Sequence, residues 1–157
     1  MLTKFTLLLT LVTYSMIVSQ SFMYVFALKD VQVALDAQLY ASFRLLINAS
    51  MNRNFKYAVY GGLLSNLLLV ALTIRHPGTL LFITCAIAFV ALLADTMFTI
   101  KGNLPINKVM NRWSPDQYPD NWMEYRKKWL EVFRYRQIAN IAGFMSLLIG
   151  LVFGSTV

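Results

Sequence analysis

The residues best suited to chemistry are a carboxylate inside an apolar segment and a stripe of aromatic, basic and amide side chains. Asp95 lies late in the apolar run from Gly78 to Ile100. A carboxylate within a membrane span costs about 2.5 to 3.5 kcal/mol, so such a residue is usually paired or functional. The stripe repeats at steps of three and four, which places its members on one helix face. Its members are Trp122, Arg126, Trp129, Phe133, Arg136 and Asn140.

These residues predict either a site for an oxygen-bearing aromatic molecule or a structural arrangement. In the first hypothesis, Asp95 removes a proton, Arg136 or Arg126 holds the resulting oxyanion, and Trp129 and Trp122 stack on the rings. In the second, Asp95 and Arg136 form an ion pair that fixes helix register. The tryptophans and basic residues then serve as an interfacial anchor, because Trp, Tyr, Lys and Arg collect at membrane surfaces without any chemistry.

Polar residues inside the apolar segments concentrate toward one side of the membrane. They are Gln20, Asp95, Thr99, Gln137 and Asn140, all close to the two long loops. This asymmetry predicts a polar pocket that opens toward those loops. If it is a binding site, we expect a volume of about a few hundred Å³ beside Trp129, with apolar walls and Arg136 exposed to it. If the cluster is structural, every polar atom should find a protein partner and no cavity should remain. We expect Asp95, Arg136, Asn140, Asn107 and Trp129 to converge there, with Asn107 in a non-helical segment after Pro105 tying the loop to the last helix.

The segment Thr99 to Asn107 with its Asn-Leu-Pro-Ile-Asn core, followed by Trp129 and then Arg136 seven residues later, resembles the signature of the anthrone-oxygenase-like family. That family consists of small four-helix membrane proteins, and its assigned members oxidise anthrones to anthraquinones with molecular oxygen. The resemblance implies the same fold and reaction type here. It also implies site roles for Asn107 and Arg136. The four-span layout extends the likeness over the whole chain.

Composition predicts a single integral membrane domain over residues 1–157. Hydrophobic residues make up 58% of the chain and charged residues 13%, far from the balance of a soluble domain. The net charge of +7 comes from basic residues that flank apolar segments. Lipid headgroups and membrane topology explain this charge, and no nucleic-acid-binding motif is present.

We predict an all-α fold, an antiparallel bundle of four transmembrane helices with further helices in two long loops on the same side. The predicted spans are 5–28, 57–74, 78–100 and 134–155. The first long loop, Lys29 to Lys56, contains an amphipathic surface helix. The second is turn-rich because of its three prolines. It ends where Asn121 caps the last helix, with Glu124 in a capping box.

The first apolar segment also has the features of a signal peptide, because Lys4 precedes it. Its apolar run continues through Phe26, which is long enough to cross a bilayer. Twelve of the fourteen Lys and Arg residues lie on the side of the long loops, and Lys4 and Arg75 lie opposite. This count predicts a plasma-membrane protein with cytoplasmic long loops and both termini outside.

The sequence offers little for a metal and leaves cofactor and oligomer open. One His and one Cys, His76 and Cys85, fall short of the usual zinc ligand set. The cofactor alternatives are haem, held by His76 or a methionine, and a bound quinone. The alternative to an enzyme is a non-enzymatic membrane subunit or a lipid-binding module. Gly143, Gly150 and Gly154, with Ser146, either pack against a neighbour in the bundle or mediate a homo-oligomer. The predicted partners are membrane lipid and a small apolar aromatic ligand.

Overall fold

Four long helices form an antiparallel bundle, as the sequence predicts. The computed structural model describes residues 1–154, apart from the side chain of Asn52, and contains no β-strand in that range. Four segments are long and apolar enough to cross a membrane: Leu2–Ala34, Arg53–Thr73, Leu80–Met110 and Trp122–Phe153. The predicted all-α fold with four candidate spans is therefore confirmed. Ser155, at the predicted end of the fourth span, lies outside the described residues.

The first and third spans are composite helices. The first contains α1 (Leu2–Met23), a π-helical turn (Tyr24–Leu28) and α2 (Lys29–Ala34). The third contains α4 (Leu80–Phe98), a second π-helical turn (Thr99–Asn103) and α5 (Leu104–Met110). A π turn holds one extra residue, so it rotates the side chains that follow it, and such turns often lie at functional sites. Both π turns lie at the loop end of the bundle.

The first long loop is much shorter than predicted. Helix α3 runs without interruption over Ala37–Thr73, so the predicted surface helix and the second span are one helix of 37 residues. Only Leu35 and Asp36 separate it from α2, and the Asp36 carboxylate caps it by accepting a hydrogen bond from the Leu39 N–H at 2.9 Å. The separate loop was wrong because no Gly or Pro between residues 37 and 60 breaks the helix.

The second long loop also begins later than predicted. Pro105 lies in the first turn of α5, directly after the π turn, and does not end the composite helix. The helix therefore continues to Met110, and Asn107 is helical rather than part of an irregular segment. The turn-rich part is limited to residues 111–121, which contain Pro115 and Pro119.

Helix α6 (Trp122–Phe153) begins where the sequence predicts, but without the predicted cap. The Asn121 side chain makes no capping hydrogen bond. The Glu124 N–H instead bonds to the Asn121 backbone carbonyl at 3.0 Å. The capping box was therefore wrong, since the backbone of the preceding turn satisfies that donor. The 32 residues of α6 span about 48 Å at about 1.5 Å per residue, longer than the hydrocarbon core of about 30 Å.

The bundle has two buried cores. The core inside the spans is mainly aliphatic, and large apolar side chains such as Leu64 and Val90 are exposed on the outside, where lipid replaces water. The core at the loop end is mainly aromatic. Its buried members are Tyr24, Tyr40, Ala41, Met110, Trp113, Trp122, Trp129 and Phe133.

The glycine stripe of α6 packs inside the bundle. A side chain added at Gly143 would overlap the Tyr14 hydroxyl, and one added at Gly150 would overlap the Thr84 hydroxyl. At Gly154, the nearest side chain is that of Leu81. Helices α1 and α4 therefore pack against this face within the bundle.

Candidate functional site

The predicted pair of Asp95 and Arg136 is confirmed and lies deep at the loop end of the bundle. Arg136 Nε donates a hydrogen bond to Asp95 Oδ1 at 2.7 Å. Both residues are buried, with exposed fractions of 2% for Asp95 and 7% for Arg136. Helix α4 leaves the membrane on the side where α6 enters it, so the two side chains meet at one depth. No hydrogen bond reaches Asp95 Oδ2 within residues 1–154.

A buried amide that the sequence analysis did not select holds the other side of Arg136. Arg136 Nη1 donates to Asn103 Oδ1 at 3.2 Å. Asn103 Nδ2 in turn donates to the Trp129 backbone carbonyl at 3.1 Å. Asn103 belongs to the second π turn, and the only signal for it was its place in the Asn-Leu-Pro-Ile-Asn core. The π turn thus fixes the orientation of the ion pair.

Three helices meet at the side-chain oxygen of Asn107. This Oδ1 accepts one hydrogen bond from Trp129 Nε1 at 2.8 Å and another from Arg44 Nη2 at 2.6 Å. The guanidinium of Arg44 lies 4.5 Å from the centre of the Trp129 ring. Asn107 therefore ties α5 to α6, as predicted, and also to α3.

Arg44 is the main residue that the sequence analysis missed, because it was counted only among the loop cations. It is 2% exposed, and burial lowers the pKa of its guanidinium, while the nearby phenols of Tyr40 and Tyr24 act in the opposite direction. Burial also raises the pKa of Tyr40 to about 12, although the Arg44 charge opposes this shift. Tyr40 is therefore a neutral phenol and Arg44 a cation near neutral pH.

These groups border a pocket of about 320 Å³. Four of the predicted site residues line it, namely Asp95, Arg136, Asn107 and Trp129, and Arg44 lines it as well. The remaining wall is largely apolar and comes mostly from α3 and the third span. Three exposed apolar lining residues, Tyr60, Ile100 and Leu104, mark a side opening between those two helices, with exposed Lys56 nearby.

Asn140 lies one helical turn deeper than Arg136 and does not line the pocket. It is 2% exposed, and its Oδ1 has no hydrogen-bond partner among the described residues. Asn140 therefore forms the buried floor below the ion pair, rather than part of the pocket wall.

Trp122 and Arg126 lie outside the pocket, in the aromatic core above it. Arg126 Nη1 donates to the carbonyls of Gln32 and Leu35, at 2.8 and 2.9 Å, and so satisfies free acceptors at the end of α2. Its guanidinium lies 4.6 Å from the centre of the Trp122 ring. The stripe from 122 to 140 covers about 27 Å at about 1.5 Å per residue, too far for one small pocket.

The described residues form no cluster of metal ligands, and of the haem ligands that the sequence suggests, His76 or a methionine, only Met51 lines the pocket. Within residues 1–154, no three His, Cys, Asp or Glu side chains are grouped closely enough to hold a metal ion. His76 lies in the turn between α3 and α4, at the opposite end of the bundle from the pocket. The pocket therefore has no imidazole to offer haem iron.

No family model, curated protein or solved structure matches this chain.

We predict that removing one partner of the Asp95–Arg136 ion pair strongly lowers the free energy of unfolding, whereas replacing both partners with apolar residues changes it little. Asp95→Ala leaves Arg136 as an unpaired buried cation, which we expect to destabilise the protein by about 3–5 kcal/mol. The double variant Asp95→Ala with Arg136→Met removes both charges and should recover most of that loss. Unfolding of the protein in mixed micelles, titrated with a denaturing detergent, measures both effects. A double variant no more stable than the single one would contradict this prediction.

Proposed function

We propose that the protein is a membrane-embedded oxygenase for a flat, apolar, oxygen-bearing aromatic molecule of the anthrone or phenol class. The observation that carries the proposal is the position of Asp95. Its carboxylate lines a largely apolar pocket, with one oxygen fixed by Arg136 and the other free of hydrogen bonds within residues 1–154. A fixed carboxylate with a free oxygen is suited to general-base chemistry.

The size and opening of the pocket support a ligand taken from the bilayer. A volume of about 320 Å³ fits a small multi-ring molecule. The mouth is lined by Tyr60, Ile100 and Leu104, which lie on helices that border lipid. An apolar substrate can therefore reach Asp95 sideways from the membrane, without crossing the aqueous loops.

The chemistry requires a base and a cation at adjacent positions. Asp95 Oδ2 removes a proton from the carbon that lies para to the ring carbonyl of an anthrone, and the electron pair moves toward the carbonyl oxygen. Arg136 Nη2, which makes no hydrogen bond within residues 1–154, is placed to stabilise that oxyanion. Arg126, the other candidate, does not line this pocket, and its Nη1 is bound to two backbone carbonyls.

The remaining steps balance with dioxygen as the oxidant. The carbanion gives its electron pair to O₂, a C–O bond forms, and Asp95 returns its proton to the distal oxygen. The second C–H proton then leaves to Asp95, the C=O bond forms, and the O–O bond breaks. The departing hydroxide takes the proton from Asp95 and leaves as water. A methylene group and O₂ thus become a carbonyl and water, with the carboxylate regenerated.

Trp129 contributes to this site as a support rather than as a free stacking surface. Its ring is already stacked with Phe133 at a centroid distance of 5.0 Å, and Arg44 lies over it at 4.5 Å. Trp129 therefore positions Arg44 and Asn107. The flat substrate contacts the apolar side chains of α3 and the third span instead.

A second candidate is a module that binds a quinone or a lipid without turning it over. The observation that favours it is the ion pair itself, because Asp95 and Arg136 neutralise each other and align two helices without any reaction. The same pocket and mouth serve this function. The two candidates differ in oxygen consumption alone.

The turnover prediction uses purified protein in nanodiscs with 1,8-dihydroxyanthrone. We expect oxygen uptake with one anthraquinone formed per O₂, above the rate in empty nanodiscs. Asp95→Asn should lower the rate by about 100-fold or more, since it removes the base, while ligand binding persists. Asp116→Asn, at an exposed position in the loop before α6, is the matched control and should leave the rate unchanged. Binding without oxygen uptake in the unmodified protein would instead favour the binding module.

We further propose that the chain lies in the plasma membrane with its long loops in the cytoplasm. Two of the twelve loop-side cations, Arg44 and Arg136, are buried in the site, but the exposed ones still outnumber Lys4 and Arg75 on the other side. A reporter fused after Val157 should therefore report the outside, and one inserted beside exposed Asp116 the cytoplasm. The reverse result would mean that the basic residues do not set orientation.

A further inference from the structure

Arg44 is a buried cation without a counter-charge. It is 2% exposed and lines the pocket, and its Nε–H has no hydrogen-bond partner among the described residues. The one ion pair within residues 1–154 joins Asp95 to Arg136, so no described carboxylate lies within ion-pair distance of Arg44. Its neighbours Asn107 and Trp129 orient the guanidinium but do not neutralise it. A buried cation without a counter-charge destabilises a protein unless a group of opposite charge binds to it.

The whole pocket has an excess of positive charge. Three cationic side chains line it, those of Arg44, Lys56 and Arg136, against the single carboxylate of Asp95, which gives a net charge of +2. The charge of Arg136 is paired with that of Asp95, and Lys56 is exposed near the mouth. Arg44 is therefore the buried group whose charge is left for a ligand.

The geometry separates this cation from the proposed reaction centre. Arg136 contacts Asn103, while Arg44 contacts Asn107, one turn further along the third span. That spacing is about 5 to 6 Å along the helix axis. A ligand that reaches Asp95 with one end can thus place a second group near Arg44.

We infer that the pocket takes a ligand that carries an ionised oxygen group, a carboxylate or an acidic phenolate, and that Arg44 holds this group. A guanidinium binds such oxygens through directed, charge-assisted hydrogen bonds, and the Nε–H of Arg44 has no partner among the described residues. This inference rests on the proposed function for the site, but it concerns binding and not turnover.

The test compares two probes that differ in charge alone, anthraquinone-2-carboxylate and anthraquinone-2-carboxamide. Protein in phosphatidylcholine nanodiscs, which carry no net charge, is titrated with each, and quenching of tryptophan fluorescence gives the Kd. We expect the carboxylate to bind about 10- to 100-fold tighter than the amide, as for a charge-assisted hydrogen bond in a buried site. Arg44→Gln should abolish this preference.

The control variants separate the charge at this position from general effects. Arg53→Gln removes an exposed arginine from the same helix and should keep the preference. Arg44→Lys retains the positive charge but not the planar guanidinium, and it should keep part of the preference for the carboxylate probe. If Arg44→Gln binds neither probe, the affinities of Arg44→Lys for the two probes test the inference instead. A preference of Arg44→Lys for the carboxylate supports an anion site at this position, and equal affinities for the two probes contradict it.

The outcomes also separate this inference from the proposed reaction. Equal affinities of the unmodified protein for the two probes would overturn the anion site, even if the protein consumes oxygen with an anthrone. A carboxylate preference that depends on Arg44, in a protein that consumes no oxygen, would support the site and overturn the oxygenase.

Discussion

The ion pair between Asp95 and Arg136 is the constraint on which the rest of the structure depends. A lone carboxylate at this depth of the membrane is unfavourable, so α4 and α6 must be aligned to bring Arg136 within 2.7 Å. This alignment places Trp129, two turns before Arg136, level with the end of the third span. It also places the small residues of α6 against α1 and α4, where larger side chains would collide. One electrostatic requirement thus sets the helix register and the location of the pocket.

Two π turns orient the side chains that surround the ion pair and the pocket. The second one presents Asn103 to Arg136, and the short helix that follows presents Asn107 to Trp129 and Arg44. The first one turns Tyr24 inward, where its ring packs against Phe133 at 4.4 Å. The third span and α6 place Asp95, Asn107 and Arg136 beside the pocket, while α3 contributes Arg44 together with most of the apolar side chains. Apolar walls with a few polar groups are typical of sites for small molecules.

The sequence predicted the fold class and the ion pair because both follow from strong signals, the length of the apolar runs and the cost of an isolated membrane carboxylate. It was wrong about α3, which continues where we expected a loop, and about the turn at Pro105, because a proline at a helix start looks the same in sequence as one that ends a helix. It missed Arg44 and Asn103, since no periodic pattern distinguishes a buried arginine from one that flanks the membrane. It grouped Trp122 and Arg126 with the site because a shared helix face carries no information on depth.

The central claim is that the pocket beside Asp95 is where the ligand binds, and photoaffinity labelling tests it directly. An anthraquinone that bears a diazirine would be irradiated with the nanodisc-embedded protein, and mass spectrometry would locate the adduct. We expect labels at the pocket residues Tyr60, Thr96 and Ile100, and their loss when unlabelled anthraquinone competes. Labels confined to the groove between α2 and α6, near Lys127 and Arg134, would place the ligand elsewhere and contradict the account.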